Sequence, residues 1–589
     1  MNIILSTLNS KFIHTNLAIR YLKSYLIDLV PISLLEFNIN QNEDFIVSEI
    51  YKNKPDIIGF STYIWNLEQT LRIAETLKII LPDLKIILGG PEVSFDGENL
   101  LRKHPYIDFI VYGEGEDTFK ELVTKFIKNT SNYDEIKGVI YRHGGSVIKN
   151  NERPLLNNLD LIPSPYENIE NEFENKIVYY ESSRGCPFNC EFCLSSTLKG
   201  VRYFDIERVK ADLTRLIDGK VKQVKFVDRT FNANKRYAME IMNFIIDKNP
   251  DNINFHFEVT AHLLDEEILD FLKDVKEGLF QFEIGVQSTN ENTIDAIGRT
   301  TDFERLKYVV KRIKSYNNIH QHLDIIAGLP YEDYCSFKKS FNDVYEIGSE
   351  KIQLGFLKLL KGSGLRMDEV KYGFKYLDIP PYEILENNYM TYEELIKLKS
   401  IEDLVEKYYN EGYFSHSLQY IIRNFYYSPF EFYEDFSTFW ESRGYNKLSH
   451  SRTRLYEILD EFYDFKSYEN TLIFKELLKF DFLLNNKKST LPQGFLKIDE
   501  DKIQKNIHEI LKSEELFKNE LLIYKDMPTK KLIKKVFVEG FLIDVLKLIH
   551  KGYNDLEENE KAYILFDYRD GMLNRCYTYD ITEIVKEMI

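Results

Sequence analysis

Cysteine is scarce, with five in 589 residues. A chain this long with so few thiols is not built on a disulfide framework, and a reducing cytoplasm suits it. Long apolar runs are also missing. No stretch reaches the ~18 apolar residues that cross a bilayer. The first residues, Met1-Asn-Ile-Ile-Leu-Ser-Thr-Leu-Asn-Ser-Lys, lack a basic start and a long apolar core, so no signal peptide is expected. Positive charge is in deficit: 76 Lys and Arg against 94 Asp and Glu leave a formal charge of −18. Overall charge therefore gives no indication of nucleic-acid binding, although a local basic patch stays open. The rest, 44% hydrophobic and 29% charged, is the composition of an ordinary globular protein of about three or four domains.

Three of the five cysteines stand together, at Cys186, Cys190 and Cys193, in Glu181-Ser-Ser-Arg-Gly-Cys-Pro-Phe-Asn-Cys-Glu-Phe-Cys. A C-x2-C pair is a common zinc hook, but structural zinc wants four ligands. The other cysteines, Cys335 and Cys576, lie far off, so the fourth would have to be one of eleven histidines. Three thiolates on one loop can instead hold three irons of a [4Fe–4S] cluster and leave the fourth open for chemistry. Phe192 sets an aromatic beside the third cysteine, and Gly185 and Pro187 shape the loop.

C-x3-C-x-aromatic-C resembles the signature of radical S-adenosylmethionine (SAM) enzymes. The resemblance implies that the open iron chelates SAM. One electron from the cluster then cleaves SAM to a 5′-deoxyadenosyl radical. Cys186, Cys190 and Cys193 would be metal ligands and catalytic.

Upstream, short apolar runs at 2–5, 32–37, 56–60, 85–88 and 108–111 alternate with helical patterns. Such alternation predicts a parallel, doubly wound, flavodoxin-like sheet whose ligand sits at the strand ends. Those ends carry Ser10 and Lys11; Ser61, Tyr63 and Trp65; Gly89, Gly90 and Pro91; and Gly113, Glu114, Gly115 and Glu116. Glycines there allow a bulky ligand close to the backbone. Together these ends resemble the cobalamin-binding domain that precedes one class of radical SAM cores. The Asp-x-His-x-x-Gly motif of many cobalamin domains is missing. The only histidine of the first loop is His14, which reads as a cap or core residue. Base-off cobalamin without a histidine beneath cobalt is therefore expected, with Trp65 either under the corrin or in the core. A degenerate domain that binds no corrin stays open.

Residues 138–149 read as a hairpin and Leu161-Ile-Pro-Ser-Pro as an extended linker. A second alternation follows, with strands at 177–180, 224–227, 254–259, 280–286, 322–326 and 351–357. Six βα units predict a partial (β/α)6 TIM-like barrel with chemistry at the C-terminal strand ends. The cysteine loop directly follows the first strand. By resemblance, Asp228, Glu258, Glu283 and Gln287 would contact SAM, and Ile326 would pack on its adenine. The turn Lys358-Leu-Leu-Lys-Gly-Ser-Gly is expected to face the substrate.

After Pro380-Pro381, tyrosine and phenylalanine become dense. Thr391-x-x-Glu394 opens a helix with the stripe Leu395, Leu398, Ile401, Val405 and Tyr408, ended near Gly412. The aromatics read as core, and Cys576 as a buried apolar residue. Residues 563–568 and 576–581 flank Arg-Asp-Gly as a hairpin. The region resembles an uncharacterised extension of one cobalamin-type radical SAM subgroup. The expected domains are 1–135 (cobalamin-binding), 136–175 (hairpin and linker), 176–378 (radical SAM core) and 379–589 (mainly helical, of unknown function). The resemblance implies methyl transfer to an unactivated carbon of an unknown substrate, with cluster, SAM and cobalamin as cofactors. An electron donor such as flavodoxin or ferredoxin is the expected partner. Cobalamin could serve another reaction, the enzyme could lack cobalamin and act for instance on tRNA, or the chain could be a sensor. A methylthiotransferase is disfavoured, because residues 1–185 lack the cysteines for a second cluster.

Overall fold

The computed structural model describes every residue except 168–172, 198–199, 488–490, 493, 514–515, 517–520, 554–559, 570–575 and 589. The chain divides into two compact units. One holds Met1–Phe337 and Leu354–Tyr392; the other holds Lys338–Gln353 and Glu393–Ile589. Among the described residues, no helix is long and apolar enough to cross a membrane.

The first unit opens with strands β1 (Ile3–Asn9), β2 (Ile32–Asn38), β3 (Ile57–Ser61), β4 (Lys85–Gly89) and β5 (Phe109–Val111). All five are parallel, in the order β2-β1-β3-β4-β5. Their side chains alternate between two apolar cores, one on each face. Ile4, Ile58 and Ile86 enter one core, and Ile3, Ile57 and Ile87 the other. Burial on both faces explains why the strands read as unbroken apolar runs. The expected hairpin forms as β6 (Val139–His143) and β7 (Ser146–Lys149). It is not a separate connector: β6 pairs antiparallel with β5 and extends the same sheet to seven strands.

A second sheet follows. Its strands are β8 (Ile177–Tyr180), β11 (Gln223–Phe226), β12 (Asn254–Glu258), β13 (Phe280–Gln287), β14 (His320–Ala327) and β15 (Lys351–Phe356), ordered sequentially. From β8 to β14, neighbouring strands run parallel. One face is buried and apolar, with Val224, Phe255, Phe282 and Leu323 fully covered. The alternate positions, which line a TIM-type interior, are mostly polar here. Gln223, Lys225, His256, Glu283, His322 and Asp324 occupy places where such barrels usually carry Val, Ile and Leu.

Between β8 and β11 lies a feature the apolar pattern did not reveal. Strands β9 (Ser183–Cys186) and β10 (Gly200–Tyr203) form a small antiparallel ribbon at the root of the cysteine loop. Gly185 has φ of +102°, and a Cβ there would fall 2.0 Å from the Gly200 carbonyl oxygen. Only glycine fits that approach.

The second unit is mainly helical. The stripe Leu395, Leu398, Ile401, Val405 and Tyr408 is buried on the helix Tyr392–Leu404 and the π-helical turn Val405–Asn410. Aromatics from its helices pack on one another as core; Tyr408, Phe436 and Trp440 are all within 2% of complete burial. Strands Ala562–Tyr568 and Cys576–Asp580 pair antiparallel as expected, while residues 570–575, which hold the Asp-Gly of the turn, lie outside the described residues. Burial pushes the half-covered Cys576 thiol up to about 12, as suits an inert residue.

Candidate active site

The cysteine loop leaves β9 at Cys186 and is gripped from three sides. Asp228, just past β11, is 1% exposed. Its carboxylate accepts from the Ser182 backbone N–H at 3.0 Å, the Ser182 hydroxyl at 2.6 Å and the Ser183 hydroxyl at 2.5 Å. Burial still raises its pKa. These contacts correct the expectation that Asp228 touches SAM, because its oxygens are spent on the root of the loop. On the second side, the Glu191 N–H donates to Ile297 O at 2.9 Å. On the third, Leu365 N–H donates to Glu191 O at 2.9 Å. Leu365, the residue that follows the Lys358–Gly364 turn, thus braces the cysteine loop.

Cys190 is 7% exposed, whereas Cys186 and Cys193 are half-buried. Burial raises the Cys190 thiol; Arg299 opposes this and Cys193 and Cys186 add to it. The three thiols are thus within electrostatic reach of one another. Arg299 Nη1 lies 3.9 Å from Cys190 Sγ, and the Ser195 N–H points at Cys193 Sγ at 3.4 Å. Phe192 is half-buried within the loop.

Among the described residues, no three His, Cys, Asp or Glu side chains are gathered to hold one metal ion. A three-thiol loop without a protein fourth ligand suits a cluster with one open iron.

The interior beside the loop offers acceptors. Gln287 sits at a register shift at the end of β13 with φ of +71°, and its buried Oε1 has no hydrogen-bond partner. Burial raises Glu258, which Arg229 only partly opposes. Asp324, absent from the sequence reading, leaves a buried Oδ1 without a partner. Burial, then Glu283 and Glu258, raise its pKa far above the usual range. A ligand carrying an ammonium group and hydroxyls, as SAM does, fits unsatisfied acceptors of this kind. Ile326 is half-buried on β14.

Glu283 differs. Its Oε2 binds Lys225 Nζ at 3.0 Å and His256 Nε2 at 2.8 Å. Burial alone would raise it, but these partners pull it down to about 2. Both bonds fall on Oε2, so Glu283 ties three neighbouring strands together while its other oxygen takes no part in them.

In the first sheet, Tyr63 and Trp65 stack with centroids 4.5 Å apart and planes 4° from parallel. Trp65 is 46% exposed, and its Nε1–H donates to Leu8 O at 3.1 Å. Trp65 is therefore a surface platform rather than a core residue. The buried Ser61 Oγ, at the end of β3, has no partner. Gly113 has φ of +75° and open space around its Cβ position. Ser10 is half-buried and Lys11 exposed on the neighbouring loop. A flat stacked pair, an orphan hydroxyl and an open glycine suit a broad planar ligand. His14 is engaged elsewhere: its Nδ1 meets the Tyr179 hydroxyl at 3.0 Å.

Gly90, φ +111°, would place a Cβ 2.4 Å from Thr62 O, so the close packing of strand ends between Gly89 and Pro91 requires glycine there. Glu114 and Glu116 turn toward the cysteine loop. Glu116 binds Arg184 at 2.6 Å, and Glu114 binds Arg202 at 2.7 Å. Gly115 between them packs near Val111 and Leu22.

Comparisons with known proteins bear on both site loops. A model of the B12 binding domain matches residues 4–123, and one of the radical SAM superfamily matches 180–344. The chain thus carries a B12-binding domain and a radical SAM domain. Those domains imply a [4Fe–4S] cluster, SAM and cobalamin as cofactors. Residues 370–566 match a protein of unknown function, DUF4080. The 2-(S-pantetheinyl)-carbapenam-3-carboxylate methyltransferase of Streptantibioticus cattleyicolor is 26% identical over 55% of this chain and 50% of its own. The uncharacterised methyltransferase PH0819 of Pyrococcus horikoshii is 31% identical over 49% of this chain and 63% of its own. The chain thus spans about half the length of the first curated relatives it matches. In fold it is similar to the cobalamin-dependent radical enzyme OxsB (TM-score 0.60, 16% identity, 84% of this chain and 82% of that one). It is also similar to the methyltransferase TsrM from Kitasatospora setae (TM-score 0.53, 15% identity, 63% and 75%).

Proposed function

We propose that this protein is a cobalamin-dependent radical SAM methyltransferase that methylates an unactivated carbon. The observation that carries the reading is the juxtaposition of two site loops within one unit. The three-cysteine loop and the Gly113–Glu116 loop are joined directly, through Arg184 and Glu116 at 2.6 Å. When bound, the cluster supplies the electron that cleaves SAM, and cobalamin supplies the methyl group. The protein's share is positioning. Cys186, Cys190 and Cys193 would hold three irons. Arg299 would offset the thiolate charge near Cys190. The orphan oxygens of Gln287 and Asp324, with Glu258, would accept hydrogen bonds from SAM. Tyr63 and Trp65 would floor the corrin, with Ser61 and Gly113 at its edge. A flavodoxin or ferredoxin is the fitting electron donor.

The test is anaerobic purification, reconstitution with iron and sulfide, and addition of SAM, reductant and hydroxocobalamin. Four irons per chain, a bound corrin spectrum and 5′-deoxyadenosine support the proposal. A corrin-free protein that still makes deoxyadenosine replaces it with a radical SAM enzyme that lacks cobalamin.

A further inference from the structure

Two arginines from facing strands converge on the Gly113–Glu116 loop. Arg184 and Arg202 are cross-strand neighbours in the ribbon that carries Cys186. Like charges directly opposite repel unless something lies between them. Here Glu114 does, at 3.5 Å from Arg184 and 2.7 Å from Arg202. Arg184 also reaches Glu116 at 2.6 Å and Glu181 at 2.9 Å. All five side chains are at most 16% exposed. The Leu156 N–H, on the segment leaving the first sheet, donates to Glu114 at 2.8 Å. The Arg184 guanidinium lies 5.6 Å from the Tyr21 ring centroid.

We propose that Glu114 and Glu116 are positioning residues that fix the cluster relative to the corrin through Arg184 and Arg202. The proposal rests on the function put forward above. Its reason is geometric. Arg184 is two residues from Cys186, on the same strand. Glu114 and Glu116 follow Gly113, whose open side faces no protein atom within 4 Å. Each carboxylate therefore ties the edge of one cofactor site to the root of the other. Buried charges with fixed partners tolerate little displacement, because a shifted charge loses its compensation. A surface ion pair would slide and be screened.

The experiment uses the full chain, reconstituted with cluster and cobalamin. Reduced cluster and cob(II)alamin each carry an unpaired electron, so their magnetic coupling reports the distance between them. Iron content, cobalamin affinity and this coupling are measured for wild type, Glu116→Gln, Arg184→Lys and the double variant. Expected are about four irons and an affinity within about twofold of wild type, with a weakened or broadened coupling in each single variant. The double variant should add little to Arg184→Lys alone, since Glu116 acts through Arg184. If Glu116→Gln does not fold, Glu116→Asp keeps the charge and shortens its reach, and should show the same broadening. An unchanged coupling overturns the proposal. So does a loss of cobalamin affinity in Glu116→Gln with the coupling intact in Arg184→Lys, which would make Glu116 a corrin contact. If wild type takes up neither iron nor corrin, it is the proposed function that fails.

Discussion

Replacing Glu283 by Gln separates a structural carboxylate from a SAM ligand. The carboxylate is 21% exposed and Lys225 27%, with His256 at 6%, so solvent screens the group only in part. The fall of Glu283 from 4.5 to about 2 corresponds to about 3 kcal/mol favouring the charged form. The sign follows from the depressed value. The stabilisation is full above the unfolded pKa near 4.5 and is lost as pH falls toward 2. Glu283→Gln also leaves Lys225 without its partner, which adds to the cost. Urea unfolding of the metal-free protein, followed by amide protection in β13, is the assay. At pH 7 the variant should lose about 3 kcal/mol, and the gap should narrow as pH drops below 4.5. Pairing it with Lys225→Met should recover part of the loss, because it removes the ammonium group left without its partner. A loss at pH 7 below about 1 kcal/mol would refute this accounting. So would weakened SAM binding with stability unchanged, which would return Glu283 to the ligand set.

Other substitutions probe the loop and the platform. Gly185→Ala should strip iron uptake while the rest of the unit folds, since its Cβ would meet Gly200 O at 2.0 Å; normal iron content would contradict that. Asp228→Ala frees three donors and should cost about 2–3 kcal/mol, with iron content falling in parallel in a thermal and metal-content comparison. Trp65→Ala should weaken cobalamin binding about fivefold, from the loss of about 1 kcal/mol of stacking. Titration by absorbance checks this, and unchanged affinity removes Trp65 from the site.

The strands of both sheets were legible because each is a short apolar or alternating run between helical stretches, as at 57–61 and 280–287. The β9–β10 ribbon was not. Ser-Arg-Gly-Cys and Gly-Val-Arg-Tyr carry no apolar alternation, and their pairing depends on a glycine contact across fourteen residues. The cysteine triad could be read because its ligands are adjacent in sequence. The partners of the acidic residues could not. Glu114 meets an arginine 88 residues away, and Glu283 a lysine 58 residues away. Which of two strand-end carboxylates is free, as at Glu258, or spent, as at Asp228, depends on cross-strand register. Asp324 stayed hidden because an acid in a strand that also carries His320, Gln321 and His322 reads as one more solvated polar group until its buried, partnerless oxygen is seen.

The most direct test of an open iron on the three-cysteine loop is the electron paramagnetic resonance spectrum of the reduced, reconstituted protein before and after adding SAM. The expected signal is that of a [4Fe–4S] cluster whose shape changes when SAM binds the iron that no cysteine holds. A cluster signal indifferent to saturating SAM, or zinc bound at Cys186, Cys190 and Cys193 with no iron uptake, would contradict it.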